Sequence, residues 1–154
     1  MASVVVDTNL LVLLVVGLTS EPMTDKHKRK KKYGREGYKL LLETLSLFDR
    51  IVVTPHILAE TSNLIRQCAE PLKTQVGQSL AVLVMEGEEQ AVPAERIAQQ
   101  PEYPWIGFTD AGVLEALSES AATLLTEDDG LYAASLGRGV EAINFEHLRA
   151  ALAT

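Results

Sequence analysis

The chain has 154 residues, 47% apolar and 23% charged, which is the balance of a globular protein with one domain. Its net charge of −7 excludes a generally basic protein that coats nucleic acid. The single cysteine, Cys68, excludes an internal disulfide and a Cys-rich zinc site, so the expected location is the cytoplasm. We expect one domain over residues 1–154.

The charge is unevenly distributed along the chain. Residues 26–39 contain eight of the 14 Lys and Arg residues and one acid, so they carry +7 while the remainder carries −14. We expect a basic loop or insertion at about residues 19–37, which is either a solvated loop or a patch that binds a polyanion. The candidate residues for contact with nucleic-acid phosphates are Lys26, Lys28, Arg29, Lys30, Lys31 and Lys32.

The first half of the chain alternates between strand and helix patterns. The β-branched run Ser3–Val6 predicts a buried strand. The apolar run Leu10–Leu18 is too short to span a bilayer and predicts part of a helix over about Thr8–Leu18. Four further elements are predicted before residue 90: a helix over Tyr38–Phe48, a strand over Arg50–Thr54, and helices over Pro55–Arg66 and Pro71–Met85.

The second half contains shorter elements of the same kinds. They are a weak strand over Glu89–Val92, a helix over Ala94–Gln99, a loop around Trp105, a helix over Thr109–Glu119, a strand over Ala122–Thr126, a helix over Gly130–Leu136, a strand over Glu141–Asn144 and a helix over Phe145–Leu152. Strands separated by helices pair in parallel, which predicts a three-layer α/β/α domain. Ligands of such sheets bind beyond the carboxyl ends of the strands.

Four acidic residues occupy positions where chemistry is expected. Asp7 follows the first strand, and Asp128, with Asp129 beside it, follows the fourth. The spacing of Glu60 and Asp110 from apolar residues places each on or beside the inward face of its helix. A carboxylate that faces the core is costly unless it is paired or bound to a cation, and neither residue has Lys or Arg one helical turn away. Bound metal ions are the economical explanation.

Each acid also has an explanation that requires no ligand. Asp7 can end the strand as a turn or cap residue, Asp110 can cap its helix, Asp128 and Asp129 can form a turn, and Glu60 can lie at a rim. Together the four favour Mg²⁺ or Mn²⁺, since hard cations prefer oxygen ligands and zinc prefers His or Cys. Two such ions can clamp the attacking water and leaving oxygen of a phosphodiester, whose phosphates the basic segment can hold.

Five segments of the chain resemble the PIN-domain ribonucleases, which include the VapC-type toxins of toxin–antitoxin pairs. In family order they are VVVDTNLL at 4–11, TPHILAETSNLI at 54–65, FTDAGVLEAL at 108–117, LLTEDDGLYAAS at 124–135 and VEAINFEHL at 140–148. The resemblance implies a parallel five-stranded sheet of order 3-2-1-4-5 and an Mg²⁺- or Mn²⁺-dependent endoribonuclease. It also implies RNA as substrate, and for a toxin a small antitoxin partner; many relatives form homodimers.

The resemblance further implies roles for individual residues. The four acids that hold the metal ions and activate water in that family match Asp7, Glu60, Asp110 and Asp128. The supporting polar positions match Thr8, Asn9 and Thr126, and Asp129 is counted with them because the T-x-D spacing favours Asp128 as the fourth ligand.

The motifs allow three other interpretations. The main alternative is a non-catalytic PIN-like module that binds RNA or a protein partner. A phosphoacceptor receiver domain would need a lysine after its last strand, and no lysine follows Lys73. A haloacid-dehalogenase phosphatase would need D-x-D at the first strand, where residue 9 is Asn. The leading expectation is therefore a metal-dependent endoribonuclease that does not associate with a membrane.

Overall fold

A parallel β-sheet organises the chain. The structure, a computed structural model, describes residues 2–25 and 33–152, and within these ranges five strands pair in the order β3-β2-β1-β4-β5. The strands are β1 (Ser3–Val6), β2 (Arg50–Val53), β3 (Glu88–Glu89), β4 (Thr123–Thr126) and β5 (Ala142–Asn144). Every pairing is parallel. The predicted sheet and its strand order are confirmed.

Helices flank the sheet and complete a three-layer α/β/α arrangement. They are α1 (Thr8–Thr19), α2 (Gly34–Leu45), α3 (Pro55–Ile65), α4 (Leu72–Glu86), α5 (Ala94–Ala98), α6 (Tyr103–Ile106), α7 (Phe108–Glu119), α8 (Asp129–Gly137) and α9 (Phe145–Leu152). Pro55 takes the first helical position of α3, where its missing N–H costs nothing, and the Thr54 hydroxyl accepts the Ile57 N–H at 3.2 Å.

Helix α1 is buried on all sides, which explains its uninterrupted apolar sequence. Every residue from Leu10 to Gly17 is buried, because α1 packs against the helices α2, α3 and α4 as well as the core of the sheet. Such a helix has no polar face. None of the helices in the described ranges is long and apolar enough to cross a membrane.

The predicted loop or insertion at about 19–37 contains helical structure at both of its described ends. A 3₁₀ turn forms over Glu21–Thr24, and α2 begins at Gly34, four residues before the predicted start. Gly34 adopts φ +59°, a conformation open to glycine, and the Asp25 carboxylate accepts the Arg35 backbone N–H at 3.0 Å. Asp25 therefore satisfies a free N–H at the start of the helix. The basic residues 26–32 lie outside the described residues.

Two smaller corrections concern the sheet edge and the segment around Trp105. The edge strand β3 has two residues instead of the predicted Glu89–Val92, although one further bond joins the Gln90 N–H to the Val53 carbonyl at 2.8 Å. A short, charged strand is a common form of exposed sheet edge. The predicted loop contains the single turn α6, with Pro104 in its first positions.

The order of the strands determines where a ligand can bind. From β1 the chain builds one side of the sheet through β2 and β3, and then returns to add β4 and β5 on the other side. The reversal lies between β1 and β4, and the residues that follow these two strands are Asp7 and Glu127. Crevices at such reversals are the usual ligand sites of open α/β sheets.

A glycine at the contact of α1 with α2 gives a test of this packing. A Cβ on Gly17 would overlap the ring of Tyr38, which is only 5% exposed and has little room to move. We expect Gly17→Ala to lower the free energy of unfolding by about 1–3 kcal/mol. Gly77→Ala, in α4 where no atom lies within 4 Å of the added Cβ, is expected to raise it by about 0.5–1 kcal/mol. Urea unfolding of both variants checks that the two changes in the free energy of unfolding have opposite signs. A Gly17→Ala protein as stable as wild type would contradict this packing.

Candidate active site

An acidic cavity of about 360 Å³ lies at the carboxyl end of the sheet. Its lining combines the four predicted acids with polar neighbours: Asp7, Thr8, Asn9, Glu60, Asn63, Leu64, Asp110 and Asp128. These residues come from the starts of α1 and α7, from α3, and from the residue before α8. Among the described residues, no Lys or Arg contributes to this lining. The charge of the four carboxylates is therefore not balanced by a basic side chain in the cavity wall.

Asp7 is buried where β1 passes into α1. Its Oδ2 accepts the Thr126 hydroxyl and, at 3.2 Å, the Glu127 backbone N–H, and its Oδ1 accepts the Leu10 N–H at 3.4 Å. The last of these bonds caps α1, so the structural explanation for Asp7 also holds. Burial raises the pKa of Asp7 to about 6, even though the bond from Thr126 acts to lower it.

Glu60 lies on the exposed flank of α3 and not on its inward face. The residues of α3 that face the core are Ile57, Thr61 and Ile65, each one helical turn from the next. The sequence predicted a position on or beside the inward face, and the structure places Glu60 beside this stripe, with its side chain exposed. Its Oε1 accepts the Thr8 hydroxyl at 3.1 Å, and its Oε2 accepts the Thr109 hydroxyl at 2.5 Å.

Asp110 is half-buried in the first turn of α7, and its carboxylate accepts no hydrogen bond from any described residue. Burial raises the pKa of Asp110 to about 7, and the negative charges of Asp128, Asp7 and Glu60 raise it further. Among the described residues, the charges that shift the pKa of Asp110 are all negative. An uncompensated acid of this kind typically marks a functional site.

Asp128 and its neighbours form the fourth side of the cavity. The Oδ1 of Asp128 accepts the Leu131 N–H at 2.8 Å and so caps α8, while the Asp128 N–H donates to the Thr126 hydroxyl at 3.0 Å. Thr126 thus connects Asp7 to the turn that carries Asp128. Asp129 is not part of the cavity wall: its Oδ1 accepts the Asn144 side-chain amide at 3.2 Å.

The donor set suits a hard divalent cation, although the carboxylates do not form a closed cage. Within 2–25 and 33–152, no three His, Cys, Asp or Glu side chains are arranged so that they could hold a metal ion. Asp7, Glu60 and Asp128 each direct an oxygen at a protein hydroxyl or backbone amide. Within the described part of the chain, the lining nevertheless offers oxygen atoms and no imidazole or thiolate, and the Asp110 carboxylate accepts no hydrogen bond. This donor set fits Mg²⁺ or Mn²⁺.

Three residues of the site were not predicted from the sequence. Asn63 lines the cavity one helical turn after Glu60, a spacing that could have indicated it. Leu64 contributes an apolar edge. Thr109 is adjacent in sequence to Asp110, but its bond to Glu60 joins residues 49 positions apart, and no local pattern signals such a contact.

The basic segment has described residues on either side. Its predicted phosphate contacts, Lys26 and 28–32, fall outside the described residues. The residue that follows them, Tyr33, donates its hydroxyl to the carboxylates of Glu127 and Glu146, and its ring lies edge-on to Phe145 with centroids 5.3 Å apart. Glu127 is the residue before Asp128, so Tyr33 contacts the turn that carries Asp128.

Among known proteins, the chain shows similarity to solved structures. No model of a known protein family matches it, and no curated protein matches it. A solved structure similar to it is a domain of a functionally unknown protein from Methanocaldococcus jannaschii DSM 2661, with 18% identity, a TM-score of 0.49, and coverage of 94% of this chain and 91% of that chain. Membership of the PIN-domain ribonucleases stays a prediction from the motifs.

Proposed function

We propose that the chain is a metal-dependent endoribonuclease of the PIN-domain type, which hydrolyses RNA phosphodiester bonds with Mg²⁺ or Mn²⁺ held in the acidic cavity. The observation that carries the proposal is the convergence of Asp7, Glu60, Asp110 and Asp128 on one cavity with no basic side chain in its described lining. The order of motifs along the sequence supports the same function. A toxin whose partner is an antitoxin protein is the form that this resemblance favours.

Each group in the cavity wall has a role in this proposal. The four carboxylates would hold the cation, which when bound supplies a Lewis acid that activates water and offsets the charge of the phosphodiester. Thr126 and Thr8 orient Asp7 and Glu60 through hydrogen bonds. The side-chain amide of Asn63 lines the cavity and can donate to an oxygen of the substrate.

The second candidate is a PIN-like module that binds RNA or protein without cleaving it. It is favoured by the finding that no group of three acids among the described residues forms a ready metal site. It is also favoured by the capping bonds of Asp7 and Asp128, which give both residues a structural role. An experiment must therefore measure metal binding and cleavage separately.

The test compares wild type with Asp128→Asn on a pool of single-stranded and structured RNAs, with Mg²⁺, Mn²⁺ or a chelator. Asn caps a helix about as well as Asp, so this change removes the charge and keeps the fold of α8. We expect cleavage that requires metal and falls at least about 100-fold in the variant. The matched control is Asp49→Asn at the start of β2, where the carboxylate accepts the Ala2 N–H at 2.9 Å, and it should cleave like wild type.

The outcomes separate the two candidates. Mn²⁺ binding by wild type without cleavage of any RNA would favour the binding module. No Mn²⁺ binding by wild type would mean that the four acids are structural, and the proposal would be wrong. Equal cleavage by wild type and Asp128→Asn would also contradict it, because the activity would then come from elsewhere.

A further inference from the structure

The Glu60 side chain is held between two threonine hydroxyls that come from different helices. Thr8 is the first residue of α1, and Thr109 is the second residue of α7. Each threonine is adjacent in sequence to another acid of the cavity, Thr8 to Asp7 and Thr109 to Asp110. The Glu60 carboxylate therefore connects the two chain segments that carry Asp7 and Asp110.

The bond from Thr109 to Glu60 joins α7 to α3. Helix α3 packs broadly on α1, and it meets α7 over a much smaller area. In that area the His56 ring lies edge-on to Phe108, with centroids 5.0 Å apart, and the Thr109 hydroxyl donates to Glu60 at 2.5 Å. Since Glu60 is exposed, packing alone would leave its long side chain free to rotate in solvent.

Two hydroxyl donors orient the Glu60 carboxylate without saturating it. Each carboxylate oxygen has about two acceptor positions, and each oxygen of Glu60 accepts one hydroxyl. One position on each oxygen is left for a cation or a further donor. A threonine is well suited to this role, because the branched Cβ restricts the rotation that aims its hydroxyl.

We propose that Thr109 is a positioning residue, whose hydroxyl fixes the Glu60 carboxylate relative to Asp110 so that both can act on one cation. The inference rests on the proposed function. It adds a residue that does not line the cavity, and it assigns Thr109 a role through Glu60 and not through contact with substrate. The expected signature is a loss of metal affinity and turnover that depends on the hydroxyl and on the presence of Glu60.

The experiment compares Thr109→Val, which keeps the branched shape and removes the hydroxyl, with Thr109→Ser, which keeps the hydroxyl. We expect Thr109→Val to weaken Mn²⁺ binding, measured by calorimetry, and to lower kcat for RNA cleavage, each by about tenfold, the effect of losing one charge-assisted hydrogen bond. KM should change less than kcat. Thr109→Ser should stay within about threefold of wild type.

The matched control is another threonine bonded to a glutamate. The Thr74 hydroxyl donates to the Glu70 carboxylate at 2.7 Å near the start of α4, and neither residue lines the cavity. Thr74→Val should leave Mn²⁺ affinity and cleavage unchanged. In a Glu60→Ala background, Thr109→Val should cause no further loss of Mn²⁺ affinity, whereas a merely structural role would still lower it.

Each result decides the inference. If wild type binds Mn²⁺ and Thr109→Val has the same Mn²⁺ affinity and turnover, the positioning role is overturned. The proposed function would then remain intact. Equal losses in Thr109→Val and Thr109→Ser would also overturn it, because the hydroxyl would not be responsible. If wild type itself binds no Mn²⁺, the proposed function fails, and that failure is seen before any variant is compared.

Discussion

Replacing Asp110 by Asn is expected to abolish metal-dependent cleavage of RNA and at the same time to stabilise the folded protein. The Asp110 carboxylate has no hydrogen-bond donor within the described part of the chain, so the amide loses no native bond. The change removes a half-buried charge that Asp128, Asp7 and Glu60 repel. We expect activity to fall at least about 100-fold and the free energy of unfolding at pH 8 to rise by about 1–3 kcal/mol.

A loss of activity together with a gain in stability distinguishes an acid that serves a ligand site from an acid that supports the fold. Urea unfolding in a chelating buffer and cleavage in Mn²⁺ measure the two quantities on one preparation. Asp49→Asn is the same substitution at the opposite end of the sheet from the cavity. It should therefore change neither the free energy of unfolding nor the rate of cleavage by much. An Asp110→Asn protein that is less stable than wild type would show that the carboxylate supports the fold.

The metal-free protein should become less stable as the pH rises from 5 to 8. The pKa values of Asp7 and Asp110 are raised to about 6 and about 7 in the folded protein, whereas an unfolded Asp has its usual value of 3.8. Between these values the folded state keeps protons that the unfolded state has released, so stability is present at low pH and is lost as the pH rises. We expect a loss of about 2–5 kcal/mol, measured as the pH dependence of urea unfolding.

The pH range of the expected loss of stability, together with the effects of Asp110→Asn and of Mg²⁺, connects that loss to the acids of the cavity. Glu102 has a lowered pKa because of its bond to Arg138, so its effect lies below its ordinary value of 4.5 and outside the window. Asp110→Asn should remove the larger part of the dependence of the free energy of unfolding on pH. Saturating Mg²⁺ should remove most of the rest, since the cation binds the ionised carboxylates and stabilises the folded state at high pH. A flat profile in metal-free wild type would contradict the raised pKa values.

Residues with strong local signals were well predicted from the sequence. Strand β1 and helix α9 have the predicted bounds, because a β-branched run and an Asn before an amphipathic segment define them locally. The cavity at the carboxyl edge also followed from the sequence, since parallel strands separated by helices bring Asp7 and Asp128 to the same edge.

Features that depend on contacts between distant segments could not be predicted. The early start of α2 depends on Asp25, which compensates for the glycines that suggested a loop. The spacing of Glu60 left open whether it lies on the inward face of α3 or beside it, and only the packing of α3 shows that it lies beside that face. The Thr109 bond to Glu60 exists because two helices meet, and neither local sequence contains that information.

The burial of α1 from Leu10 to Gly17 leads us to expect cavity walls of unequal local stability. Backbone amides from Leu11 to Val16 lie in the core, so their hydrogen exchange requires opening of the whole domain. Asp7 is therefore anchored in the most protected part of the molecule. Glu60 and Asp128 are exposed, so we expect a bound ligand to slow exchange in α3 and the first turn of α8 while α1 stays as protected as before. We therefore expect Asp7 to keep its position when the cavity binds a ligand, and Glu60 and Asp128 to adjust theirs.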